Sequence, residues 1–430
     1  MSGADFQLGQ DFAIAMDERD ALRGFRERFL IPKTASGGDC VYLCGHSLGL
    51  QPKTAAEYVE QELRDWAQLG VEGHFRAKNP WMPYHRLLTE QTAELIGANP
   101  SEVVVMNSLT VNLHLMMVSF YRPTPARHKI LIERGAFPSD QYAVKSQIHF
   151  HGFDPATSLV ELNPRPGEFC MREEDIEQLI ERGGDAIALI MLGGVNYATG
   201  QAFDIERITR VGHKAGCVVG FDLAHAAGNV QLNLHEWGQD FAVWCNYKYL
   251  NGGPGCVGGC FVHERHAQNW SLPRFAGWWG HDQETRFEMP STFNPTPGAE
   301  GWQLSNPPIV SLAVLRASTD IFHAAGMRRL RAKSVKLTGY LEFLLNHFLL
   351  RDVDSRDFSI VTPSEPEHRG AQLSIRIPQN GRSLCDRLAA EGIIGDWREP
   401  DIFRVAPVPL YNSFCDVFQF VTRFTSALRH

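Results

Sequence analysis

The sequence predicts an α/β protein, in which a large domain with a mostly parallel seven-stranded sheet between helices precedes a smaller α+β C-terminal domain. Between residues 100 and 263, seven short apolar segments occur among helical segments, a pattern typical of a parallel sheet covered by helices. Beyond residue 310, a long helical stretch leads into a mixed region of strands and helix. The segment "SNPPIV" (305–310) separates the two parts, because consecutive prolines interrupt both helix and sheet. The predicted parts are an N-terminal segment that packs with the small domain, the large domain and the small domain: 1–70, 71–308 and 309–430.

Two helices and a short strand are predicted in the N-terminal segment. Residues 16–29, "MDERDALRGFRERF", are predicted to be helical, and the apolar run at 40–44 is predicted to be a strand. Residues 53–69 have the apolar spacing of an amphipathic helix, which Pro52 would open.

The large domain is predicted to contain the alternating strands and helices. Its predicted strands are short apolar runs at 102–107, 129–133, 157–162, 186–192, 217–223, 240–245 and 260–263. Helices are predicted at 108–120, 139–150, 172–182 and 203–216. Ser108 is predicted to cap the first of these helices. The small domain is predicted to hold a helical stretch at 309–349, strands at 372–377 and 403–408, and a closing helix near 414–427.

Composition excludes several classes of partner. The chain of 430 residues has 41 basic and 49 acidic residues and a formal net charge of -8, without a Lys/Arg-rich run, so no nucleic acid partner is expected. The first residues lack a signal-peptide pattern, and the longest apolar runs are far shorter than the ~20 residues of a membrane span. The nine cysteines are dispersed without a C-x-x-C motif. They predict reduced thiols in a cytoplasmic protein, with no metal site.

Two glycine-rich segments match known motifs without the required context. "GHSLG" (45–49) matches the G-x-S-x-G motif of serine hydrolases, but too few strands precede Ser47 and the following helix is delayed. It is therefore predicted to be a turn. "GPGCVG" (253–258) matches the dinucleotide-binding G-x-G-x-x-G motif, but a strand instead of a helix is predicted to follow it.

Several polar and aromatic residues are predicted at the carboxyl ends of the strands, where ligands bind in open α/β sheets. Asp222 ends one strand, His225 follows it, and Lys248 follows another. The strand-to-helix turns at 108–110 and 137–140 add an aromatic ring and possible phosphate contacts. Taken singly, each has an ordinary interpretation: a turn residue, a structural histidine, a surface or phosphate-binding lysine. On one edge they favour a pyridoxal phosphate site, in which a lysine forms the Schiff base and a carboxylate faces the pyridine nitrogen.

Longer segments of the chain resemble the kynureninase family. They include "GHSLGLQPK", "SLTVNLHLMM", "FPSDQYA", the stretch from "GFDLAHAAGNV" to "NYKYLNGGPG", "GWWGH", "SNPP" and "RVAPVPLYNSF". The resemblance spans about residues 40 to 415. It implies the pyridoxal-phosphate-dependent transferase fold of type I, the fold of aspartate aminotransferase.

The family's activity is implied by the same resemblance. It is the hydrolysis of L-kynurenine or 3-hydroxy-L-kynurenine to anthranilate or 3-hydroxyanthranilate plus L-alanine, in tryptophan degradation and NAD biosynthesis. The resemblance also implies a homodimer with its active sites near the subunit interface. After the substrate amine displaces the lysine, the lysine removes the α-proton, water adds to the γ-ketone, and the Cβ–Cγ bond breaks.

Roles for individual residues are likewise implied. Lys248 and Tyr247 would be catalytic, Tyr247 as an acid or base at the ketone, or alternatively as a phosphate ligand alone. Pyridoxal 5'-phosphate would be bound by Leu109, Thr110, Phe137, Pro138, Ser139, Asp140, Asp222, His225, Tyr247, Lys248, Trp278 and Asn306. The substrate would be bound by Ser47, His74, Ser305, Asn306 and Arg404, with Arg404 on the α-carboxylate.

Two details of the sequence bear on these implications. Gly193 stands where the family often has Ser or Thr, so a cofactor contact there is either missing or replaced. His74, Ser305 and Asn306 together resemble the eukaryotic members and imply a preference for the 3-hydroxylated substrate. A cysteine desulfurase or an aminotransferase of the same fold stays open as an alternative function, and so does a non-catalytic binding protein on this scaffold.

Overall fold

A computed structural model describes residues 6–352 and 358–428 of the chain, with side chains omitted at 349–352. The predicted parts 1–70 and 309–430 therefore include residues that lie outside the described ranges, namely 1–5, 353–357 and 429–430.

The described residues form fifteen strands and fourteen α-helices. The strands are β1 (Phe29–Leu30), β2 (Val41–Tyr42), β3 (Gln51–Pro52), β4 (Val103–Val105), β5 (Lys129–Glu133), β6 (Leu159–Leu162), β7 (Ile187–Gly193), β8 (Val218–Asp222), β9 (Phe241–Cys245), β10 (Gly258–Val262), β11 (Ser359–Ile360), β12 (Leu373–Arg376), β13 (Ile393–Ile394), β14 (Asp396–Arg398) and β15 (Ile402–Val405). The helices are α1 (Gln10–Glu18), α2 (Ala55–Leu69), α3 (Gly73–Arg76), α4 (Thr89–Ile96), α5 (Leu109–Phe120), α6 (Pro138–Phe150), α7 (Pro155–Ser158), α8 (Glu173–Gly183), α9 (Ile205–Lys214), α10 (Leu234–Trp237), α11 (Ile309–Ala325), α12 (Met327–Asp352), α13 (Gly381–Ala390) and α14 (Phe414–Leu428).

The central sheet has seven strands in the order β4-β10-β9-β8-β7-β5-β6. Strand β10 is antiparallel to both of its neighbours, and the pairs from β9 to β6 are parallel. The predicted mostly parallel, seven-stranded sheet is confirmed. Each strand is a short apolar run because both faces of the sheet are covered.

Side chains of alternate strand residues separate the two faces of the sheet. In β5, Ile130 and Ile132 pack into the core with residues of α5 and α6, whereas Leu131 packs into the core with residues of α8 and α9. The domain is therefore a sheet between two helical layers, and the loops at the carboxyl ends of its parallel strands are free to form a site.

The small antiparallel sheet, in the order β11-β12-β15-β14, has its own core. Its apolar side chains pack with those of α12 and α14 and with Phe6, Ala13 and Met16 near the N-terminus, while β2 pairs with β13. Helix α2, which also belongs to the predicted N-terminal segment, does not join this core and packs against α11, the first helix after residue 308. The boundaries at 70 and 308 stay predictions.

Three helix predictions differ in part from the structure. The predicted amphipathic helix at 53–69 is α2, but it begins at Ala55, and Pro52 lies in β3 and does not open it. The predicted helix at 16–29 is confirmed only in part: α1 ends at Glu18 and a 3₁₀ helix spans Arg23–Arg28. Between them the Asp20 carboxylate accepts a hydrogen bond from the Leu22 N–H at 2.8 Å, a local bond that competes with a continuous α-helix. The predicted stretch at 309–349 is two helices, because Gly326 adopts a φ of +78° between α11 and α12. Ser108 occupies the N-cap position of α5, but its side chain makes no cap hydrogen bond. In the described part of the chain, no helix is long and apolar enough to cross a membrane.

Candidate active site

A cavity of about 210 Å³ lies at the carboxyl ends of β5, β7, β8 and β9. We call it the cofactor cavity. It is lined by Leu109, Thr110, Glu133, Phe137, Ser139, Asp140, Gly193, Val195, Tyr197, Asp222, Ala224, His225, Tyr247 and Lys248. The predicted ligand edge of the sheet is thus a real depression, formed by residues far apart in sequence.

Lys248 and His225 are in direct contact inside the cavity. The Lys248 Nζ lies 3.0 Å from the His225 Nε2. Burial lowers the pKa of His225 well below its usual range, and the charges of Lys248 and Arg404 add to this effect. The imidazole is therefore neutral at neutral pH, and its Nε2 accepts a hydrogen bond from the lysine.

The buried Asp222 and the half-buried Asp140 form a carboxyl pair. Burial and the neighbouring Asp222 raise the pKa of Asp140 well above its usual range. Burial also raises the pKa of Asp222, against the opposing effects of Lys248 and of the Ala224 N–H, which Asp222 Oδ1 accepts at 2.7 Å. Asp140 therefore holds a proton more readily than Asp222 does, which makes Asp222 the stronger anion of the pair.

Two helix N-termini also border the cavity. Leu109 and Thr110 begin α5, and Pro138 and Ser139 begin α6. The Thr110 and Ser139 hydroxyls lie 2.8 Å apart. The first N–H groups of a helix lack partners within the helix, so this pair of termini can hold an anion.

Phe137 is 45% exposed, and its ring centroid lies 5.8 Å from the Lys248 Nζ. The Tyr197 ring stands edge-on to it, with centroids 5.4 Å apart. Phe137 therefore exposes part of its ring at the cavity, and the stacking role that the family resemblance implies for it stays a prediction.

Glu133 is a cavity residue that the sequence interpretation missed. It ends β5, it is buried, and its Oε2 has no partner among the described residues. Burial raises the pKa of Glu133 to about 7. A Cβ on Gly193 would lie 3.0 Å from the Glu133 Oε1, so the carboxyl occupies the space beside the glycine. The strand-end rule that identified Asp222 applies equally to Glu133.

Tyr247 lines the cavity, and burial raises the pKa of its phenol well above the usual range, so the phenol keeps its proton. The "GHSLG" segment forms the predicted turn and packs on the same loop. The Gly49 N–H donates to the Tyr247 carbonyl at 2.8 Å. A Cβ on Gly49 would lie 2.4 Å from the Lys248 carbonyl oxygen, so this approach requires glycine. Ser47 lies in this turn and does not line the cavity.

Arg404 lies behind Tyr197 and is 1% exposed. Its Cζ is 5.9 Å from the Tyr197 ring centroid. Its guanidinium does not line the cavity directly. Its charge is nevertheless close enough to lower the pKa of His225, after the effects of burial and of Lys248.

Four further predicted residues lie away from the cavity: His74, Trp278, Ser305 and Asn306. The exposed rings of Phe75 and Phe287, which were not predicted, lie among them, and we call this surface of six residues the outer patch. Phe75 is 59% exposed, Phe287 56% and Trp278 42%. The Phe75–Phe287 and Phe287–Trp278 ring centroids are 6.3 and 5.5 Å apart. The turn that contains Trp278 contacts Leu304, next to Ser305 and Asn306, which are exposed. None of these residues lines the cofactor cavity.

Comparison with known proteins identifies the family. The family model "Kynureninase C-terminal domain" matches residues 330–424, and the model "Aminotransferase class-V" matches 41–367. The chain is 67% identical to the kynureninase of Koribacter versatilis, with 100% of both chains covered. It is 60% identical to that of Myxococcus xanthus, with 97% of this chain and 96% of the relative covered. The chain belongs to the kynureninase family. The kynureninase of Nematostella vectensis is 48% identical, with 98% of this chain and 94% of the relative covered.

Solved structures show the same fold at low identity. The apo cysteine desulfurase of Thermococcus onnurineus has a TM-score of 0.73 and 16% identity, with 91% of this chain and 95% of that chain covered. A cystine C–S lyase in complex with cysteine persulfide has a TM-score of 0.74 and 16% identity, over 90% and 97% of the two chains. The predicted type I fold of pyridoxal-phosphate enzymes is confirmed.

The cofactor cavity fits pyridoxal 5'-phosphate. Asp222 supplies an anion for a protonated ring nitrogen, and Lys248 an amine for the aldehyde. The helix termini at Leu109 and Ser139 suit a phosphate. Buried atoms without a partner among the described residues, Asp140 Oδ1 and His225 Nδ1, point to a polar occupant. With family membership established, the prediction of this cofactor for a kynureninase-family hydrolase is confirmed.

The cysteines argue against a desulfurase. All nine lie in the described part of the chain, six buried and three partly buried, and none lines the cofactor cavity. Burial raises the pKa of every one of these thiols. A nucleophilic thiolate is therefore disfavoured at each position.

Proposed function

We propose that this chain hydrolyses the Cβ–Cγ bond of L-kynurenine, 3-hydroxy-L-kynurenine or both, releasing anthranilate or 3-hydroxyanthranilate and L-alanine. The observation that carries the proposal is the convergence of Lys248, His225 and Asp222 on one cavity in a chain of the kynureninase family. Relatives at 48% to 67% identity over nearly the whole chain are named kynureninase.

Lys248 is the proposed base at the substrate Cα. When bound, pyridoxal phosphate withdraws electrons from the carbon that loses a proton. The His225 Nε2, 3.0 Å from Nζ, orients the amine. Asp222, the stronger anion of its pair with Asp140, would pair with the protonated ring nitrogen of the bound cofactor.

Tyr247 is the proposed acid at the substrate ketone. Its phenol keeps its proton, and it can donate that proton to the carbonyl oxygen while water adds to the carbon. Water supplies the oxygen of the new carboxylate, and the carbon left behind takes a proton to become the methyl group of alanine. A second role, as a phosphate ligand alone, is the alternative for this residue.

Arg404 is the proposed partner of the substrate α-carboxylate, since a guanidinium binds a carboxylate through two parallel hydrogen bonds. Ser47, in the turn that packs on the Lys248 loop, is proposed to contact the substrate near this site.

Absorbance of the purified protein with added cofactor, followed by product fluorescence after addition of kynurenine, tests the proposal. We expect a visible band for the bound cofactor and equal amounts of anthranilate and alanine. Conversion of the cofactor to its amine form without anthranilate would favour an aminotransferase instead. A protein that cannot be coloured by the cofactor would favour a non-catalytic binding protein.

Within this activity, we propose a preference for the 3-hydroxylated substrate, which His74, Ser305 and Asn306 would recognise. The measurement is kcat/KM for both substrates under one set of conditions. Equal values, or a higher value for kynurenine, would contradict the preference.

We further propose that the chain works as a homodimer, in which the outer patch of one subunit approaches the cofactor cavity of the other. Support comes from Trp278 and Asn306, which the family pattern assigns to the cofactor but which lie outside this chain's own cavity. Light scattering measures the mass, and a monomer of 48.3 kDa with full activity would contradict the proposal.

The reaction would place the enzyme in tryptophan degradation and NAD biosynthesis, in the cytoplasm.

A further inference from the structure

Besides the proposed substrate carboxylate, Arg404 has a carboxylate partner within the chain, with which it already forms hydrogen bonds. Asp396 in β14 is the direct cross-strand neighbour of Arg404 in β15. The Arg404 Nε donates to the Asp396 Oδ1 at 2.7 Å, and its Nη2 donates to the Asp396 Oδ2. The pair is therefore bidentate, and the register of the small sheet holds its two members together.

Arg404 has one further partner, from the large domain. Its Nη1 donates to the Tyr197 carbonyl at 2.7 Å. The guanidinium has five N–H donors, and these three bonds leave one N–H on Nη1 and one on Nη2. Among the described residues these two donors have no partner. The ring of the same Tyr197 lines the cofactor cavity and packs on Phe137, so the carbonyl ties the arginine to the wall of the site.

Asp396 is held in turn by a buried histidine. The His46 Nε2 lies 3.1 Å from the Asp396 Oδ1. Burial lowers the pKa of His46 to about 4, so the ring is neutral, and its Nε2–H donates to the acceptor-only carboxylate. Burial raises the pKa of Asp396, but hydrogen bonds from His46 and Arg404 outweigh burial and hold it well below the usual range. Arg398, on the outer side, donates to the Asp396 Oδ2 at 3.0 Å.

We propose that Asp396, supported by His46, is a positioning residue that holds Arg404 with its two remaining N–H groups available to the substrate α-carboxylate. Asp396 binds the guanidinium edge formed by Nε and Nη2, and the Tyr197 carbonyl binds Nη1. Because of these bonds, the guanidinium cannot rotate to turn its Nε edge towards the ligand. A buried arginine without Asp396 would be an unpaired charge free to change rotamer. This inference rests on the proposed function, because it assumes an amino-acid substrate at this site.

The variant Asp396→Asn tests the proposal, with Asp401→Asn as its matched control. Asp401 forms the corresponding surface pair with Arg376 of β12, at 2.6 Å from its Nε, on the same small sheet. The first measurement is binding of L-alanine and of ethylamine to the holoenzyme, from the change in cofactor absorbance. The two ligands differ in the carboxylate, so the ratio of their affinities reports how well Arg404 is presented.

In Asp396→Asn, we expect the alanine-to-ethylamine ratio to fall at least tenfold, towards the ratio in Arg404→Lys. We also expect KM for kynurenine to rise more than kcat falls. In Asp401→Asn, both should stay at the wild-type value. An unchanged ratio in Asp396→Asn, with only a lower Tm, would mean a structural role and would overturn the proposal.

Two controls keep the outcomes separate. If Asp396→Asn does not fold, His46→Leu takes its place, with a threefold or greater fall in the ratio expected and an unchanged ratio overturning the proposal. If the wild-type protein binds alanine but forms no anthranilate, the proposed function fails while the binding ratios still decide the role of Asp396.

Discussion

The cofactor cavity and the outer patch both collect residues that the sequence pointed to, but they differ in how complete they are. In the cavity, Lys248, His225, Asp222 and Asp140 bond to or titrate with one another inside a single chain. In the outer patch, Trp278, Phe287 and Phe75 expose about half of their surfaces. One chain thus contains a cluster of polar residues in mutual contact and a separate, exposed apolar surface. The cavity residues contact one another within one chain, whereas none of the patch residues lines that chain's own cavity.

The largest effect is expected from removal of the cavity lysine, Lys248. Lys248→Ala should lose the absorbance of the covalently bound cofactor and lower kcat by at least about 10³-fold, because no other amine lines the cavity. Lys145→Ala, an exposed lysine of α6, is the control and should match the wild type. A Lys248→Ala protein with an unchanged spectrum would place the reactive amine elsewhere.

The Glu133 carboxyl in the cavity should make the free energy of unfolding depend on pH. Glu133 has a pKa of about 7 when folded and 4.5 as a free side chain, so the folded state holds the proton more tightly. Its stabilising contribution is full below pH 4.5 and is lost as the pH rises to about 7. Glu133→Gln should abolish this loss and exceed the wild type at pH 8 by up to about 3 kcal/mol.

The measurement for Glu133 is urea unfolding of the cofactor-free protein between pH 4 and 8. Glu174→Gln, on the exposed side of α8, is the control and should keep the wild-type pH dependence. Parallel curves for Glu133→Gln and the wild type would show that folding does not change the pKa of this carboxyl.

Mixing two defective subunits tests whether the outer patch acts on the partner's cavity. Asn306→Ala should lower kcat/KM about tenfold, the effect of one lost hydrogen bond. Mixed with Lys248→Ala under conditions of subunit exchange, it should recover to about a quarter of the wild-type activity, because half of the dimers are mixed and each has one intact site. Activity equal to the simple average of the two variants would place Asn306 in its own subunit's site.

The smallest effect is expected at the start of α5. Ser108→Ala should change the free energy of unfolding by less than about 0.5 kcal/mol, because the side chain caps nothing. Asp204→Ala is the contrast, since the Asp204 Oδ1 accepts the Arg207 N–H at 2.9 Å and its loss should cost about 1 kcal/mol. Chemical denaturation measures both. A large effect at Ser108 would mean that the hydroxyl, and not only backbone N–H groups, serves this helix terminus.

The sequence predicted the cavity better than the patch for a physical reason. Parallel strands are apolar on both faces and end at a common edge, so Asp222, Lys248 and the helix starts could be assigned to one place without knowledge of contacts. Glu133 satisfied the same rule and was overlooked. The pairing of Asp396 with Arg404 depends on the register between β14 and β15, and the Phe75–Phe287 contact joins segments over two hundred residues apart. Neither follows from a local pattern.

The protected cysteines give the enzyme a practical property. All nine thiols are at least partly buried, with pKa values raised by burial, so alkylating reagents at neutral pH should modify them slowly. A cysteine introduced on the surface, for example by Gln268→Cys, should react first. A fluorophore attached there would report whether two copies of the chain associate in solution, without prior removal of any native residue.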